Sequence, residues 1–148
     1  MKIEFGREPD IEMWMNLVNK VKSSFPGLET KEALDEHRQT VLTFMRAASA
    51  ICAKTEEQIV GALLFSREEN MLCFLAVDEQ YRRQHIAERM VLHMLSCMNP
   101  EKEVIVTTYR EEVPEGIAAR AFYKRLGFVE GELTEEFGAP VQEFILKR

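Results

Sequence analysis

The spacing of apolar residues changes several times along the chain, and each change marks a predicted element. Four short segments of the N-terminal half either alternate apolar and polar residues or form continuous apolar runs, as strands do. These predicted strands are residues 2–5, 49–54, 58–67 and 71–77. Between the first two, apolar residues recur every three to four positions in two stretches, which predicts two amphipathic helices. The first helix begins at Pro9-Asp10 and the second at Thr30, with a break at residues 25–27.

The C-terminal half continues the alternation of helices and strands. Its predicted elements are a helix from near Gln84 to Asn99-Pro100, a strand at Val104–Thr108, a helix at Ile117–Leu126, and strands at 128–137 and 141–146. Gly127 follows the last helix at the C′ position, where glycine is favoured because the backbone turns to a positive φ. The turn between the last two strands is predicted at residues 138–140.

This order of elements favours one fold class. Strand, two helices, three strands, helix, strand, helix and two strands is typical of a mixed α/β (α+β) domain with a largely antiparallel sheet. The helix between the strands near residues 71 and 108 predicts one parallel crossover in that sheet. A chain of 148 residues with 46% apolar content can bury one core and is short for two, so we expect a single domain over residues 1–148.

Charge and composition narrow the classes of function. A net charge of −6 argues against nonspecific binding to nucleic acid or to an anionic membrane surface. The longest apolar runs are about seven residues, too short to cross a bilayer, and the N-terminus lacks a signal-peptide core, so we expect a cytoplasmic protein. The three cysteines, Cys52, Cys73 and Cys97, have apolar neighbours and predict small core residues rather than disulfides or metal ligands. We expect no metal site.

The segment from Met71 to Glu88 is an apolar strand that leads into an arginine-rich turn and a helix. The first N–H groups of a helix have no partner within it and attract anions. We therefore expect free N–H groups from Arg83 to Ala87, with Arg82 and Arg83 adding positive charge that suits a phosphate. The alternative is an ordinary strand–loop–helix unit whose arginines are solvated.

Two sequence segments resemble the signatures of the GNAT N-acetyltransferase family. Arg82-Arg83-Gln84-His85-Ile86-Ala87 is similar to the loop that binds the pyrophosphate of acetyl-CoA in that family. Ala121-Phe122-Tyr123, followed after three residues by Gly127-Phe128, is similar to the family's second signature. The two segments lie in the expected order and spacing, within about two fifths of the chain.

The resemblance implies a fold, a co-substrate and a reaction. It implies a mixed, mostly antiparallel sheet of about six to seven strands flanked by four helices. It implies that acetyl-CoA donates an acetyl group to a primary amine, which attacks the thioester directly. The acceptor is then a small-molecule amine or a protein amine, and family habit suggests a homodimer. By resemblance the cofactor-binding residues are Leu75, Ala76, Val77, Arg82, Arg83, Gln84, His85, Ile86, Ala87 and Phe122, and Tyr123 is the general acid.

Several positions depart from the family pattern or leave alternatives open. His85 replaces the first glycine of the loop, Gly116 stands where the family often has asparagine, and the strand at 71–77 has no acid. These departures motivate a second hypothesis, a catalytically weak or inactive CoA-binding module. Tyr123 could instead be a core residue on an amphipathic helix.

The general base is not identified by the sequence. Its candidates are Glu32, Tyr109, Glu111, Glu112 and a water relay. Arg120, Lys124 and Arg125 could bind the adenosine phosphates, although cations on a helix surface usually have no specific partner.

Overall fold

The structure is a computed structural model that describes residues 1–148. It has seven strands and four helices, which confirms the predicted fold class. In chain order they are β1 Lys2–Phe5, α1 Ile11–Val21, α2 Lys31–Arg46, β2 Ala50–Lys54, β3 Ile59–Ser66, β4 Met71–Val77, α3 Ile86–Cys97, β5 Val104–Tyr109, α4 Ile117–Arg125, β6 Val129–Glu136 and β7 Ala139–Leu146. None of the helices is long and apolar enough to cross a bilayer.

All seven strands form one sheet in the order β1-β2-β3-β4-β5-β7-β6. Every neighbouring pair is antiparallel except β4 and β5, which are parallel and joined by α3. Each face of the sheet carries its own apolar cluster. One cluster contains Ile86 and Met90 of α3 and Tyr123 of α4. The other contains Trp14 of α1 and Met45 of α2, so the helices cover the sheet in pairs.

A β-bulge in β4 opens the centre of the sheet. Phe74 pairs with Leu64 of β3 and Leu72 pairs with Phe65, so Cys73 has no partner. Leu72 and Phe74 would share a face of a regular strand, yet they belong to clusters on opposite faces because Cys73 is an extra residue. Beyond the bulge β4 diverges from β5, and the two strands are in register only at Met71 and Ile105.

The structure corrects three sequence predictions. Helix α3 begins at Ile86 rather than near Gln84, since His85 has a positive φ of 60°. The last turn consists of Phe137 and Gly138, both with positive φ, so β7 begins before the predicted residue 141. The prediction of three core cysteines was wrong for Cys73, which is exposed because it lies in the bulge.

Candidate active site

Two residues at the end of β4 have backbone groups that face the gap toward β5. The N–H of Asp78 donates to the carbonyl of Val60 at 2.8 Å, so Asp78 bonds to β3. Hydrogen-bonded and non-bonded pairs alternate along an antiparallel ladder. Ala76 therefore also bonds to β3, and the N–H and C=O groups of Leu75 and Val77 point the other way. Because β5 has already diverged, these groups are open to a ligand.

A small cleft lies against this part of β4. Its volume is about 130 Å³. One side is formed by Leu75, Ala76, Val77 and Arg82, and the other by Val21, Ser24 and Phe25 from the end of α1 and the loop that follows. A larger cleft of about 400 Å³ lies between α1 and the β2–β3 turn, lined by Lys20 and Gln58 among others. The larger cleft lacks the open β4 backbone, so the smaller one is the candidate site.

The turn before α3 presents a row of free N–H groups. None of the backbone N–H groups from Arg83 to Glu88 donates to a protein acceptor, and the first bonded one is that of Arg89, to the carbonyl of His85 at 3.0 Å. Arg83 and His85 both have positive φ, of 65° and 60°, which folds the turn into a concave loop. The region from Arg82 to Glu88 is called the cradle below.

The side chains of the cradle mostly point to solvent. Arg82, Arg83, Gln84 and His85 are exposed, and Ala87 is half-buried. The side chain of Ile86 is buried in the core, so only its N–H can face a ligand. The cradle and the β4 cleft adjoin each other, because Arg82 belongs to both.

His85 occupies a backbone conformation that favours glycine. A left-handed φ costs a non-glycine residue roughly 1–2 kcal/mol. The imidazole is 80% exposed, and its Nδ1 lies 3.1 Å from Glu88 Oε2. The ring therefore lies along the outer surface of the first turn of α3 rather than inside the cradle.

We expect His85→Gly to be more stable than His85→Ala by about 1 kcal/mol, because only glycine relieves the positive φ. Both variants remove the imidazole ring and its contact with Glu88. The difference between their free energies of unfolding therefore reports the cost of the positive φ alone. Urea unfolding of the two variants measures it. Equal midpoints with equal slopes would show that residue 85 leaves the left-handed region at no cost.

A C-terminal cap fixes the position of Tyr123. The N–H of Phe128 donates to the carbonyl of Tyr123 at 3.0 Å, and the N–H of Gly127 donates to that of Lys124 at 3.0 Å. These two bonds, with a φ of 100° at Gly127, define a Schellman motif. The apolar contact that accompanies such a motif is the edge contact between the rings of Tyr123 and Phe128, 5.5 Å apart. The predicted C′ role of Gly127 is confirmed.

Tyr123 is 6% exposed and lies among aromatic rings. Phe122 and Phe144 have ring centroids 5.3 and 6.2 Å from its own. Burial raises the pKa of the phenol, with no contribution from a hydrogen bond or a neighbouring charge. Tyr123 does not line the β4 cleft, but it belongs to the apolar cluster against which Leu75 and Val77 pack.

The family model of the acetyltransferase (GNAT) domain matches residues 46–130, more than half of the chain. The chain belongs to the GNAT family. The matched region contains β4, the cradle and Tyr123. The protein is therefore an acetyltransferase that uses acetyl-CoA. No curated protein sequence matches the chain significantly.

Solved structures of other GNAT proteins share the whole fold at low sequence identity. An N-acetyltransferase from Staphylococcus aureus Mu50 has a TM-score of 0.76 at 16% identity, covering 99% of this chain and 100% of that one. A ribosomal-protein-alanine N-acetyltransferase from Brucella melitensis has the same score and identity and covers 100% of both chains. The paiA N-acetyltransferase from Thermoplasma acidophilum, in complex with coenzyme A, has a TM-score of 0.72 at 14% identity, covering 99% and 98%. These likenesses concern the fold.

The sequence indicated the wall of the cleft opposite β4 in this GNAT protein only in part. Residues 24–31 form one of the longest irregular segments, and such loops often carry substrate contacts. The sequence did not indicate that the ring of Phe25 stacks on Phe74 of β4, with centroids 4.6 Å apart. Ser24 and Phe25 reach the cleft because a short 3-10 turn, Lys22–Ser24, prolongs α1 toward β4. An aromatic residue beside a proline and a glycine is the one local signal that could have indicated this wall.

The structure gives a physical reason for Gly116. A Cβ atom on Gly116 would lie 2.3 Å from the Cβ of Tyr109, so no side chain fits while that ring stays in place. The hydroxyl of Tyr109 donates to the carbonyl of Ser24 at 2.7 Å, so its proton is already engaged. Glu32, Glu111 and Glu112 are exposed and none of them lines the cleft.

The prediction that Arg120 is a helix-surface cation was wrong. Its side chain is buried, and its Nη1 donates to the carbonyl of Tyr109 and to Oε1 of Gln142, both at 2.8 Å. The guanidinium also lies over the ring of Phe144, 4.8 Å from the centroid. Lys124 and Arg125 are exposed, as predicted.

Proposed function

We propose that residues 1–148 act as one domain that transfers an acetyl group from acetyl-CoA to a primary amine by direct attack, with Tyr123 as general acid. The observation that carries this proposal is the juxtaposition of two open sets of backbone groups. Free N–H groups line the cradle, and Arg82 joins the cradle to a cleft in which Leu75 and Val77 have unpaired backbone. One long ligand with a diphosphate at its centre and a narrow arm could use both.

The residues of the cradle fit the diphosphate of coenzyme A. Backbone N–H groups at a helix N-terminus and two guanidinium groups provide donors and positive charge at one place. Arg82, Arg83, Gln84 and the N–H groups of His85, Ile86 and Ala87 would hold the diphosphate, and β4 would hold the arm beside Phe122. Bound acetyl-CoA supplies the activated acetyl group as a thioester.

The open groups of β4 can stabilise the charge that develops during transfer. A backbone N–H aimed at a carbonyl oxygen that becomes negative is worth about 3–4 kcal/mol in comparable sites. Leu75 and Val77 each offer such a group. Both groups lie in a cleft of about 130 Å³, and most of the residues that line it are apolar.

The environment of Tyr123 keeps its phenol protonated, as the role of general acid requires. Its phenol lies in an apolar environment that raises its pKa, so it stays protonated at neutral pH. No protein acceptor competes for that proton. We assign to Tyr123 Oη the proton that the departing thiolate requires.

A CoA-binding module with weak or no catalysis is the second candidate function. It is favoured by the absence of a carboxylate or imidazole among the residues that line the cleft. An alkyl amine is mostly protonated at neutral pH, so transfer requires a group or a water chain that removes a proton. This candidate shares the cradle with the first and differs only in turnover.

We expect saturating acetyl-CoA to raise the melting temperature by about 5–10 °C, since a ligand at about 100 times its Kd stabilises by about 2.7 kcal/mol. Arg82→Ala should weaken binding by about 10- to 100-fold, because a charge-assisted phosphate contact is worth about 1.5–3 kcal/mol. Arg46→Ala is the matched control, since Arg46 is an exposed arginine of α2 paired with Glu8. Differential scanning fluorimetry against acetyl-CoA concentration measures all three proteins.

Thiol release with a panel of primary amines then separates the two candidate functions. Binding with turnover of at least one amine supports the acetyltransferase, whereas binding without turnover of any amine supports the binding module. An Arg82→Ala variant that binds as tightly as Arg46→Ala would contradict the assignment of the cradle.

A further inference from the structure

The tip of the β6–β7 hairpin folds back over one face of the sheet. In the sheet register Glu136 pairs with Ala139, whereas Thr107 of β5 pairs with Glu143. A flat sheet would place Glu136 about 13 Å further along the strands than Thr107, at about 3.3 Å per residue. Yet the hydroxyl of Thr107 donates to Oε1 of Glu136 at 2.9 Å. The hairpin must therefore bend, and its bend brings the Glu136 carboxylate over β5.

Glu136 lies on the face of the sheet that carries the β4 cleft. Val106 of β5 belongs to the apolar cluster under α3 and α4, so Thr107 faces the opposite side. Tyr109 shares the side of Thr107, and its hydroxyl donates to the carbonyl of Ser24, a residue that lines the cleft. The carboxylate and the cleft are therefore reached from the same side.

A second contact brings the hairpin tip to the wall of the cleft. A Cβ on Gly27 would lie 3.5 Å from the ring of Phe137, the residue after Glu136. Gly27 belongs to the same loop as Phe25, which lines the cleft. Phe137 has a positive φ of 52°, which is unfavourable for a bulky residue and turns the chain at the tip. The contact with Gly27 thus places Glu136 beside the loop that forms the wall.

The negative charge of Glu136 also acts on β4. Burial, followed by the negative charges of Glu69 and Glu136, raises the pKa of the Cys73 thiol to about 11. Cys73 is the bulge residue, two positions before the open backbone of Leu75. Since an electrostatic effect of this kind requires proximity, the carboxylate lies near β4 as well as against Thr107 of β5. It therefore lies at the gap where the two strands diverge.

One oxygen of the Glu136 carboxylate is fixed and the other is available. Oε1 accepts the hydrogen bond from Thr107, and the half-buried side chain pairs with no cation. By contrast, Glu130 on the same strand is paired with Arg120 and Lys124. A carboxylate oxygen without a protein partner can accept a proton from a ligand. Glu136 does not line the cleft itself, but it is the carboxylate that the fold brings to the adjoining gap.

Building on the proposed function, we infer that Glu136 is the general base that removes a proton from the acceptor amine, and that Thr107 is a positioning residue that orients its carboxylate. Tyr123 belongs to the cluster on the opposite face of the sheet. The gap between β4 and β5 is therefore flanked by an acid on one face and a base on the other. This arrangement lets the amine enter from one side and the thiolate receive its proton from the other.

The proton transfers balance over one turnover. Glu136 takes one proton from the nitrogen of the neutral amine as the carbon–nitrogen bond forms. Tyr123 gives one proton to the sulfur as the carbon–sulfur bond breaks. Exchange with water returns the proton from Glu136 to the phenolate of Tyr123, so the products are the amide and the free thiol and both side chains are restored.

The test measures kcat and both KM values by thiol release, with the primary amine that turns over fastest. Glu136→Gln keeps the length of the side chain and the oxygen that accepts from Thr107, and it removes the base. It should lower kcat by about 10²-fold or more. The KM for acetyl-CoA and the melting temperature should stay unchanged. Glu143→Gln is the matched control, since Glu143 is a half-buried glutamate opposite Thr107 in the register and shares its face.

Two variants of Thr107 test the orientation of the carboxylate. Thr107→Val removes the hydroxyl at nearly constant shape and should lower kcat by about three- to tenfold, as expected for the loss of one hydrogen bond. Thr107→Ser keeps the hydroxyl and should retain kcat within about twofold of wild type. Equal kcat values for these two variants would contradict the role of Thr107, and this pair still decides the case if Glu136→Gln fails to fold.

The outcomes separate this inference from the proposed function. A Glu136→Gln variant with kcat within about threefold of wild type overturns the inference while acetyl transfer stands. So does a variant that raises only the KM for the amine, because the carboxylate would then attract the acceptor without taking its proton. An equal loss in Glu143→Gln overturns it too. Absence of transfer by the wild type, with acetyl-CoA bound, overturns the proposed function and this inference with it.

Discussion

Tyr123→Phe should lower kcat by about 10²-fold or more, because a positioned general acid typically contributes about 10²- to 10⁴-fold. The KM for acetyl-CoA should change by less than about threefold, since the lost interaction belongs to the transition state rather than to the bound ground state. Phenylalanine keeps the ring contacts with Phe122, Phe128 and Phe144 and removes only the hydroxyl. Steady-state thiol release with a reactive primary amine measures both constants.

The environment of Tyr123 adds a pH criterion. Burial raises the pKa of the phenol above its ordinary value of about 10, so the acid form persists throughout the neutral range. Wild-type kcat should therefore show no loss from phenol ionisation below about pH 10. Tyr81→Phe serves as the control for deletion of a hydroxyl, since the hydroxyl of Tyr81 accepts a hydrogen bond from Gln58 at 3.0 Å. A Tyr123→Phe variant with kcat within about twofold of wild type would restore the alternative reading of Tyr123 as a core residue.

Features that depend on neighbours in sequence could be predicted from the sequence. The apolar periods located all seven strands and four helices, because each period reports which side of an element faces the core. Gly127 was placed correctly because a Schellman motif involves only a few consecutive residues. The free N–H groups of the cradle could be expected for the same reason, since they follow from where a helix begins.

Features that depend on distant segments could not be predicted. The bulge at Cys73 reverses the faces of the residues after it, but it arises from the pairing of β4 with β3, which no local pattern encodes. Ser24 and Phe25 reach the cleft only because the end of α1 packs over β4. Gly116 departs from the family pattern because Tyr109, a residue of β5, occupies the space that a side chain at position 116 would need.

The position of Arg120 on α4 is a local signal that its side chain is buried. It lies three residues before Tyr123, so both occupy the same face of α4. A charged residue on a core-facing stripe is buried only if its donors are satisfied. The partners that satisfy Arg120, the carbonyl of Tyr109 and the amide of Gln142, come from β5 and β7. Their contribution explains why the sequence of α4 alone indicated a surface cation.

Arg120→Met should lower the free energy of unfolding by about 2–4 kcal/mol, because it leaves one buried and one partly buried acceptor without their donor. Methionine keeps much of the length of the side chain, so the loss reports polar contacts more than packing. The melting temperature should fall by about 10 °C. Lys124→Met is the matched control, since it also replaces a cation by methionine, four residues later on the same helix.

The comparison is informative because both cations pair with one carboxylate. Arg120 Nη2 lies 3.2 Å and Lys124 Nζ 2.7 Å from Glu130 Oε1, and the shorter contact is the exposed one. Arg120 Nη2 makes no hydrogen bond, although it lies within ion-pair distance of Glu130 Oε1. The buried arginine therefore stabilises the fold chiefly through its bonds to Tyr109 and Gln142. If contact distance to Glu130 decided stability, Lys124→Met would be the more damaging change. If burial and satisfaction of backbone and amide acceptors decide it, Arg120→Met will be the more damaging one, and thermal unfolding of the two variants separates these cases.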